Sequence, residues 1–447
     1  MDLRGRRIIV IGMGKTGIAT AQFLGGRGAR VVATDAKPLD QWPADFKRIA
    51  GEKWLETGDY QPSVVADADG VVPSPGVWPS NALIQEALRR NIPVISEIEL
   101  AYRFIDRPII AVTGTNGKTT TTTLLGEIMN AAGKPTWVGG NIGHPLIAFA
   151  QNQAQADYVV AEISSFQLQF IETFRPLVAV LLNITRDHTD YHGSFAEYIS
   201  VKSRIFANQR PTDFAVIGAE IGERKEIADA IRSRTIRFSS RDILPEGIFV
   251  QGGDIVFKMP GTDTERYPLS LINLPGAHNQ ENVMAAIAAA RLCGCPQDVV
   301  ASVIRAFRGL PHRIEFVAEK NSVKFYDDSK GTNVGSVQRA LETFSQPIIL
   351  LLGGRDKEGD FESLRPLLTG KAKTVVLFGE ARDRIESLIG RDVPIRKEAK
   401  MKDAVLRAYQ EAQPGDVVLL SPGCASFDEF ADYKERGNYF KEIVRSL

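Results

Sequence analysis

Short runs of apolar residues recur along the whole chain, and a stretch with helix-like composition follows most of them. The runs end in glycine or in a polar residue, as at Arg6–Ile11 before Gly12. Strands that alternate with helices in this way form parallel sheets whose faces are covered by helices. We therefore predict an α/β fold. At 447 residues, the chain is long enough for about two to four domains.

The apolar runs form three groups, which predict three domains comprising residues 1–98, 99–308 and 309–447. The first and third groups predict Rossmann-like, doubly wound sheets. The second predicts a sheet of buried parallel strands, because its runs are continuously apolar. Short alternating strands around Gly252-Gly253-Asp254 predict a small antiparallel patch in the same domain.

The strands predicted in the first domain are residues 6–11, 30–34, 70–73 and 92–95. Those predicted in the second are residues 108–112, 158–161, 177–182 and a run before Gly218. Those predicted in the third are residues 322–326, 347–352, 374–378 and 416–420. An alanine-rich stretch from Glu281 to Leu292 predicts a helix that ends at Gly294. Linkers are predicted near residues 96–107 and 308–311.

Charge and composition exclude several classes of function. The chain carries 54 Lys and Arg residues against 54 Asp and Glu residues, so no overall field attracts it to nucleic acid or to an acidic membrane. The apolar run Ile8–Ile11 is too short for a signal peptide or a membrane span. Cys293, Cys295 and Cys424 fit no zinc or redox spacing and are expected to be small buried residues of a reducing cytosol. We expect a cytoplasmic protein that binds no nucleic acid and inserts into no membrane.

Two glycine-rich loops suggest different chemistries, and the first has two interpretations. Gly12-Met13-Gly14-Lys15-Thr16-Gly17 follows the first strand, and Asp35 ends the next one. This spacing matches the dinucleotide fingerprint, in which glycines approach a diphosphate and an acid binds a ribose hydroxyl. It is equally compatible with a tight turn between a strand and a helix, without a nicotinamide cofactor.

The second loop, Thr113-Gly114-Thr115-Asn116-Gly117-Lys118-Thr119-Thr120, predicts a polyphosphate site. A loop between a strand and a helix directs backbone N–H groups, the helix dipole and Lys118 at one point. Thr119 is placed to ligate Mg²⁺. The loop departs from the general P-loop pattern because Val112 stands where the outer glycine would be. The second domain is therefore predicted to be a P-loop ATPase-type sheet.

Polar residues that follow the later strands of this sheet are candidate metal ligands, because parallel strands end at a common edge near the phosphates. Glu162 closes one strand, and Asn183-Ile184-Thr185-Arg186-Asp187-His188 follows another. A carboxylate suits Mg²⁺, whereas imidazole is a minority ligand. Lys202 lies on the next helical stretch, where a lysine is usually solvated.

The ordered motifs resemble those of the ATP-dependent Mur ligases over essentially the whole chain, and they are most similar to the members that add D-glutamate. The motifs that carry the resemblance are Gly114–Thr119, Gly139–Gly143, Glu162–Leu168, Asn183–His188, Tyr198–Lys202, Leu274–Asn279 with Asn282, Leu310–Arg313 and Asp327–Asn333. Two further runs, Leu352–Lys357 and Ser421–Asp428, favour the D-glutamate-adding members.

The resemblance implies roles for individual residues, first around ATP and two Mg²⁺ ions. The positions that match ATP contacts are Gly114, Thr115, Asn116, Gly117, Lys118, Thr119, Thr120, Asn279, Asn282, Arg313 and Asp328. Thr119, Glu162 and His188 match metal ligands. Lys202 matches a lysine that the family carries as a carbamate, which turns a cation into a further metal ligand. Lys118, His188 and Lys202 are the expected catalytic group.

The resemblance also implies the substrates, UDP-N-acetylmuramoyl-L-alanine and D-glutamate. Contacts with the UDP-substrate match Gly14, Lys15, Thr16, Asp35, Ser74, Pro75, Gly76 and Asn141, so that this interpretation replaces the nicotinamide one. Contacts with D-glutamate match Lys330, Thr332, Lys357, Ser426 and Phe427. Cations and a hydroxyl are what a dicarboxylate needs.

The expected activity is an ADP-forming amide ligation through an acyl phosphate, in cytoplasmic peptidoglycan precursor synthesis for the cell wall. We expect a monomer whose third domain closes onto the second before chemistry. The alternatives are a folylpolyglutamate-synthase-like ligase of the same family, an NAD-dependent dehydrogenase that uses the first glycine loop, and a nucleotide-switch protein without an amino-acid pocket.

Overall fold

The computed structural model describes residues 1–153, 156–390 and 392–447, without the side chains of residues 189 and 190. The chain divides into two compact units. The first unit comprises Met1–Ile184, Tyr191–Tyr267 and Val283–Val303. The second unit comprises Thr185–Asp190, Pro268–Asn282 and Ile304–Leu447. The described residues include no helix that combines the length and the apolar character needed to cross a membrane.

The first unit begins with a four-stranded parallel sheet in the order β3-β2-β1-β4. Its elements are β1 (Arg7–Ile11), α1 (Lys15–Gly26), β2 (Arg30–Thr34), β3 (Leu55–Thr57), β4 (Gly70–Pro73), α2 (Ala82–Arg89) and α3 (Glu97–Tyr102). Because β1 lies in the middle of the sheet, the loop after β1 lies between the carboxyl ends of β2 and β4.

The prediction of a strand at residues 92–95 is wrong. Val94 forms only an isolated bridge with Val71, because Pro93 has no N–H with which to continue a ladder. The fourth strand is instead β3, which has three residues and no buried one. No apolar run marks it in the sequence.

The second sheet has nine strands in the order β13-β12-β11-β10-β9-β8-β5-β7-β6. Its strands are β5 (Ile109–Thr113), β6 (Thr136–Gly140), β7 (Tyr158–Glu162), β8 (Val178–Leu181), β9 (Phe214–Gly218), β10 (Arg234–Ser239), β11 (Gly247–Gln251), β12 (Asp254–Lys258) and β13 (Glu265–Pro268). Its helices are α4 (Lys118–Ala131), α5 (Leu146–Gln151), α6 (Ser165–Leu168), α7 (Thr189–His192), α8 (Phe195–Ser203), α9 (Ala219–Gly222), α10 (Lys225–Ala228), α11 (Ala277–Leu292) and α12 (Gln297–Ala306).

The sheet confirms the buried parallel strands and the antiparallel turn at Gly252-Gly253, across which β11 pairs with β12. The prediction missed β6 and β10. β6 ends in two glycines and has one buried residue, and β10 begins with two exposed ones, so neither is a continuous apolar run. The helix predicted at Glu281–Leu292 begins four residues earlier, at Ala277, as α11.

The second unit contains a six-stranded sheet in the order β14-β15-β19-β16-β17-β18. Its elements are β14 (Glu315–Lys320), β15 (Val323–Asp327), α13 (Val334–Thr343), β16 (Ile348–Gly353), α14 (Arg365–Lys371), β17 (Ala372–Phe378), α15 (Arg382–Ile389), β18 (Ile395–Lys397), α16 (Met401–Glu411), β19 (Val417–Gly423) and α17 (Tyr433–Ser446). Among the described residues, the strands of this sheet pair parallel except β14, which pairs antiparallel with β15. The prediction missed the edge strands β14 and β18, which contain no fully buried residue.

The cores of the two units follow from the buried strands. In the first unit a single apolar cluster includes Ile8 and Val10 of β1 and Ile109 and Ala111 of β5, so the first two sheets share a core. In the second unit the alternate residues of β16 face two clusters, one on each side of the sheet. The predicted α/β fold with Rossmann-like sheets at both ends is thereby confirmed, and the predicted domain bounds stay a prediction.

Candidate active site

The phosphate loop lies in the first unit between β5 and α4, and two glycines give it its course. Gly114 has φ +150° and Gly117, the residue that caps α4, has φ +88°. Residues other than glycine rarely adopt such backbone angles. Asn183 braces the loop, because its side-chain oxygen accepts from Asn116 N (2.9 Å) and its side-chain nitrogen donates to Asn116 O (3.0 Å). These contacts hold the backbone of the loop in place.

Two lysines direct their amines at this loop. Lys118 Nζ donates to Gly114 O and Thr115 O, each at 2.9 Å. Lys202 Nζ donates to the same Gly114 O at 3.0 Å and lies 4.7 Å from the centre of the Tyr198 ring. Lys202 is only 2% exposed, although an ordinary helical lysine is solvated. Both amines lie where a polyphosphate on the loop would need cations.

Glu162 supplies a carboxylate beside the loop, because β7 pairs in register with β5 and sets Glu162 next to Val112. Its Oε1 accepts from Asn141 Nδ2 at 2.7 Å. Its Oε2 is buried and has no hydrogen-bond partner among the described residues. A buried carboxylate oxygen without a donor is costly unless a cation meets it, so this residue fits a divalent metal. Thr119 lies on the first turn of α4, half-buried.

A cavity of about 830 Å³ opens in the first unit at the carboxyl ends of β1, β2 and β4. All eight residues predicted to contact the UDP-substrate line it: Gly14, Lys15, Thr16, Asp35, Ser74, Pro75, Gly76 and Asn141. Gly143, which follows β6, and Gln167, which lies on α6, also line the cavity. A cavity of this size accommodates a nucleotide-sized ligand.

The first glycine loop forms one wall of this cavity and is held by Asp35. The two carboxylate oxygens of Asp35 accept from Met13 N (2.6 Å) and Lys37 N (2.9 Å). Asp35 therefore braces the glycine loop as well as the backbone that follows β2. Lys15 donates to Gly143 O and so joins this loop to the segment that follows β6.

In the second unit, two hydrogen bonds involve predicted nucleotide contacts. Asn282 Nδ2 donates to Asn279 Oδ1 at 3.1 Å near the start of α11, and both residues are buried. Asp328 follows β15 and accepts from Ser421 Oγ at 2.8 Å. Burial raises the pKa of Asp328 to about 7, and the charge of Arg313 opposes that rise. Burial and the charges of Arg339 and Arg313 lower the pKa of His278 to about 4, which marks a cationic neighbourhood.

A smaller cavity of about 360 Å³ lies in the second unit. His188, Thr332 and Lys357 of the predicted site line it. Asn333 Nδ2 donates to Asp187 Oδ2 at 2.9 Å and so joins the His188 loop to the start of α13. His188 has φ +52°, an uncommon backbone angle for a residue other than glycine.

The structure does not bring the remaining D-glutamate candidates to the lining of this cavity. Ser426 is 2% exposed and Phe427 is 61% exposed, both after β19. Lys330 Nζ lies 5.3 Å from the centre of the Tyr433 ring. Arg436 ties the two loops that carry these residues, because it donates to Ser329 O (2.8 Å) and to Cys424 O (3.1 Å).

Several cavity residues were missed in the sequence. Lys37, Tyr60, Trp78 and Asn81 line the larger cavity, and they lie on loops whose course no local pattern predicts. Tyr60 follows β3, the strand that was itself missed. Gln167 could have been predicted as a cavity residue, because it belongs to the motif Glu162–Leu168.

Three family models match successive parts of the chain. "Mur ligase MurD-like, N-terminal domain" matches residues 6–96, "Mur ligase middle domain" matches residues 112–290, and "Mur ligase, glutamate ligase domain" matches residues 312–424.

Similar proteins agree with these models over the full length. The chain is 52% identical to the UDP-N-acetylmuramoylalanine–D-glutamate ligase of Syntrophus aciditrophicus, over 100% of this chain and 99% of that protein. It is 44% identical to the enzyme of the same name from Geobacter metallireducens, with the same two coverages.

Solved structures show the same fold at low identity. A pseudomurein peptide ligase type C from Methanothermus fervidus matches with a TM-score of 0.62 at 17% identity, over 99% of this chain and 100% of that one. The MurF ligase from Thermotoga maritima in complex with ADP matches with a TM-score of 0.61 at 16% identity, over 100% of this chain and 96% of that one. With three domain models in order and full-length relatives at 44–52% identity, the chain belongs to the Mur ligase family.

Proposed function

We propose that this protein is an ATP-dependent, ADP-forming ligase that joins D-glutamate to UDP-N-acetylmuramoyl-L-alanine in peptidoglycan precursor synthesis. One observation supports this most strongly. Asn141 lines the sugar-nucleotide cavity and donates to Glu162 beside the phosphate loop. A substrate held in that cavity would therefore have a route to the γ-phosphate of ATP.

The first step activates a carboxylate that would otherwise resist attack by an amine. One oxygen of the L-alanine carboxylate attacks the γ-phosphorus of ATP, the bond to the β–γ bridging oxygen breaks, and an acyl phosphate and ADP form. The neutral amine of D-glutamate then attacks the acyl carbon. Phosphate leaves and the amine loses a proton, so that an amide forms.

The residues of the phosphate loop bind and orient the nucleotide in this scheme. The loop N–H groups and Lys118 surround the phosphates, and charge gathers there as the carboxylate approaches. Thr119, Glu162, His188 and Lys202 as a carbamate would hold Mg²⁺ at two sites. When bound, Mg²⁺ would neutralise phosphate charge. Asn279, Asn282, Arg313 and Asp328 would contact the nucleotide.

Lys202 is proposed to be carbamylated. Its amine is buried beside Gly114 O, where a carbamate would bring a negative charge for the second metal. Enzyme equilibrated with ¹³C-bicarbonate should show a carbamate carbon signal that is absent from Lys202→Arg. An unmodified amine in a fully active enzyme would contradict the proposal.

The amino acid is proposed to bind at Lys330, Thr332, Lys357, Ser426 and Phe427 of the second unit. Lys357 and Thr332 line the 360 Å³ cavity and can offer an ammonium and a hydroxyl to a carboxylate. We further propose three domains, with bounds at residues 1–98, 99–308 and 309–447, and a cytoplasmic location for the enzyme.

The test is phosphate release from ATP with the sugar nucleotide and a panel of D- and L-amino acids. D-Glutamate should support the fastest release, and the product should contain the new amide. Release with D-alanine or meso-diaminopimelate, but none with D-glutamate, would contradict the substrate assignment. Activity on a folate without the sugar nucleotide would favour the folylpolyglutamate-synthase-like alternative, and tight NADH binding would favour the dehydrogenase.

A further inference from the structure

Trp78 is an exposed aromatic residue on the wall of the sugar-nucleotide cavity, and no role has been assigned to it so far. The residue lines the cavity and is 46% exposed. The chain has four tryptophans, and the other three, Trp42, Trp54 and Trp137, are absent from this lining. An indole left half in water is costly for the free protein, so a ligand that covers it gains apolar contact.

The indole is supported by Tyr191. The two rings lie 5.6 Å apart between centroids at an angle of 52°. Tyr191 is itself fixed, because its hydroxyl donates to Val77 O at 2.9 Å and its ring packs edge-on against Phe166 at 4.4 Å. Burial raises the pKa of Tyr191 to about 12, so the hydroxyl keeps its proton at neutral pH. Trp78 is thus held on one side and borders the cavity on another.

The residues that support Trp78 belong to the same region as the phosphate loop, next to the nine-stranded sheet. Phe166 lies on α6, four residues after Glu162, and its neighbour Gln167 lines the same cavity. The first glycine loop and Asp35, in contrast, belong to β1 and β2 of the first sheet. A sugar nucleotide whose carboxylate reaches the phosphate loop has its pyranose ring closer to that loop than its uracil ring.

We propose that the indole of Trp78 is a stacking surface for the pyranose ring of the acylated sugar, which makes Trp78 a specificity-determining residue. This inference rests on the proposed function. The rigid apolar face of an indole matches the C–H face of a pyranose, and few side-chain torsions must be ordered on contact. The uridine and diphosphate would bind without help from Trp78.

Calorimetric affinities for two ligands test the assignment. Wild type, Trp78→Ala and Trp78→Phe are titrated with UDP and with UDP-N-acetylmuramoyl-L-alanine. Trp78→Ala should weaken the complete sugar nucleotide about tenfold, equivalent to about 1.4 kcal/mol, and leave UDP within about twofold. Trp78→Phe should keep most of the affinity, because it retains an aromatic face. Leu88→Ala removes an equally exposed apolar side chain of α2 outside the cavity lining and should change neither affinity.

Tryptophan emission gives a second measurement that does not depend on activity. The complete sugar nucleotide should change the emission of wild type much more than UDP does, and Trp78→Phe should lose the difference. Equal weakening of UDP and of the sugar nucleotide by Trp78→Ala would assign the indole to uracil and overturn the inference, as would no weakening of either. Wild type that binds UDP but not the sugar nucleotide would overturn the proposed function, and the inference with it.

Discussion

Individual side chains at the phosphate loop have surroundings that only the folded chain provides. Lys202 is buried, and its amine donates to the backbone of the loop. One carboxylate oxygen of Glu162 accepts from Asn141, and the other has no donor among the described residues. A buried carboxylate oxygen without a donor is expensive. The Glu162 side chain is therefore informative about a cation, and Lys118 and Glu162 at this loop lead to direct tests.

Lys118→Ala should abolish most of the phosphate release. Its amine donates to Gly114 O and Thr115 O of the loop, and in the proposed reaction it meets the charge that gathers on the phosphates. We expect a loss of about 10²–10³-fold in rate, typical of removing one preorganised donor. The control is Lys258→Ala, which removes an exposed lysine of β12 and should leave the rate unchanged. Full activity of Lys118→Ala would contradict the role of the loop.

Glu162→Gln should raise the Mg²⁺ concentration needed for half-maximal phosphate release. The substitution keeps an oxygen for the Asn141 bond and removes the charge that the metal needs. We expect a rise of about tenfold or more. Glu223→Gln, at an exposed position of the same unit, should not change the Mg²⁺ requirement. An unchanged Mg²⁺ dependence in Glu162→Gln would exclude this carboxylate as a ligand.

At the scale of elements, the carboxyl ends of neighbouring strands assemble the site. The apolar runs predicted parallel strands that end at a common edge, whereas the register of β5 and β7 and the order of β2, β1 and β4 come from the structure. The missed strands β3, β6, β10, β14 and β18 are half-exposed or short, so their formation depends on pairing with a neighbour rather than on their own sequence.

Helix α3 and helix α5 are joined by a buried carboxyl, which predicts a pH effect on stability. Glu97 Oε1 accepts from Ile147 N at 2.6 Å, and burial raises the pKa of Glu97 to about 7. The unfolded chain releases this proton near pH 4.5, whereas the folded protein retains it to about pH 7. The free energy of unfolding should therefore fall as pH rises from about 4.5 to about 7, by up to about 3 kcal/mol from this group.

Glu97→Gln cannot titrate, so its free energy of unfolding should lose less than that of wild type over the same pH range. Chemical denaturation at pH 5, 6, 7 and 8 measures the difference, and the exposed Glu223→Gln should follow wild type. Parallel pH profiles for wild type and Glu97→Gln would show that Glu97 titrates in its ordinary range.

At the scale of the whole molecule, the sugar-nucleotide cavity belongs to the first unit alone. UDP should therefore slow amide hydrogen exchange at the first glycine loop, at residues 74–81 and at residues 140–145, and leave the six-stranded sheet of the second unit unchanged. Mass spectrometry with and without UDP measures this. Equal protection in both units would contradict a cavity confined to the first.

The expected monomer is tested by measuring the molecular mass in solution with and without ligands. The mass of one chain under both conditions is expected.

The sequence by itself determined the fold class and the kind of chemistry, because continuous apolar runs and a glycine-rich loop are local patterns that specify buried strands and a phosphate site. Its motifs also named eight residues that line one cavity. The tertiary structure alone decided which side chains are buried beside the loop, how Asn141 joins the cavity to Glu162, and that Tyr191 supports Trp78. These contacts join residues 21 and 113 positions apart, so packing rather than local propensity sets them.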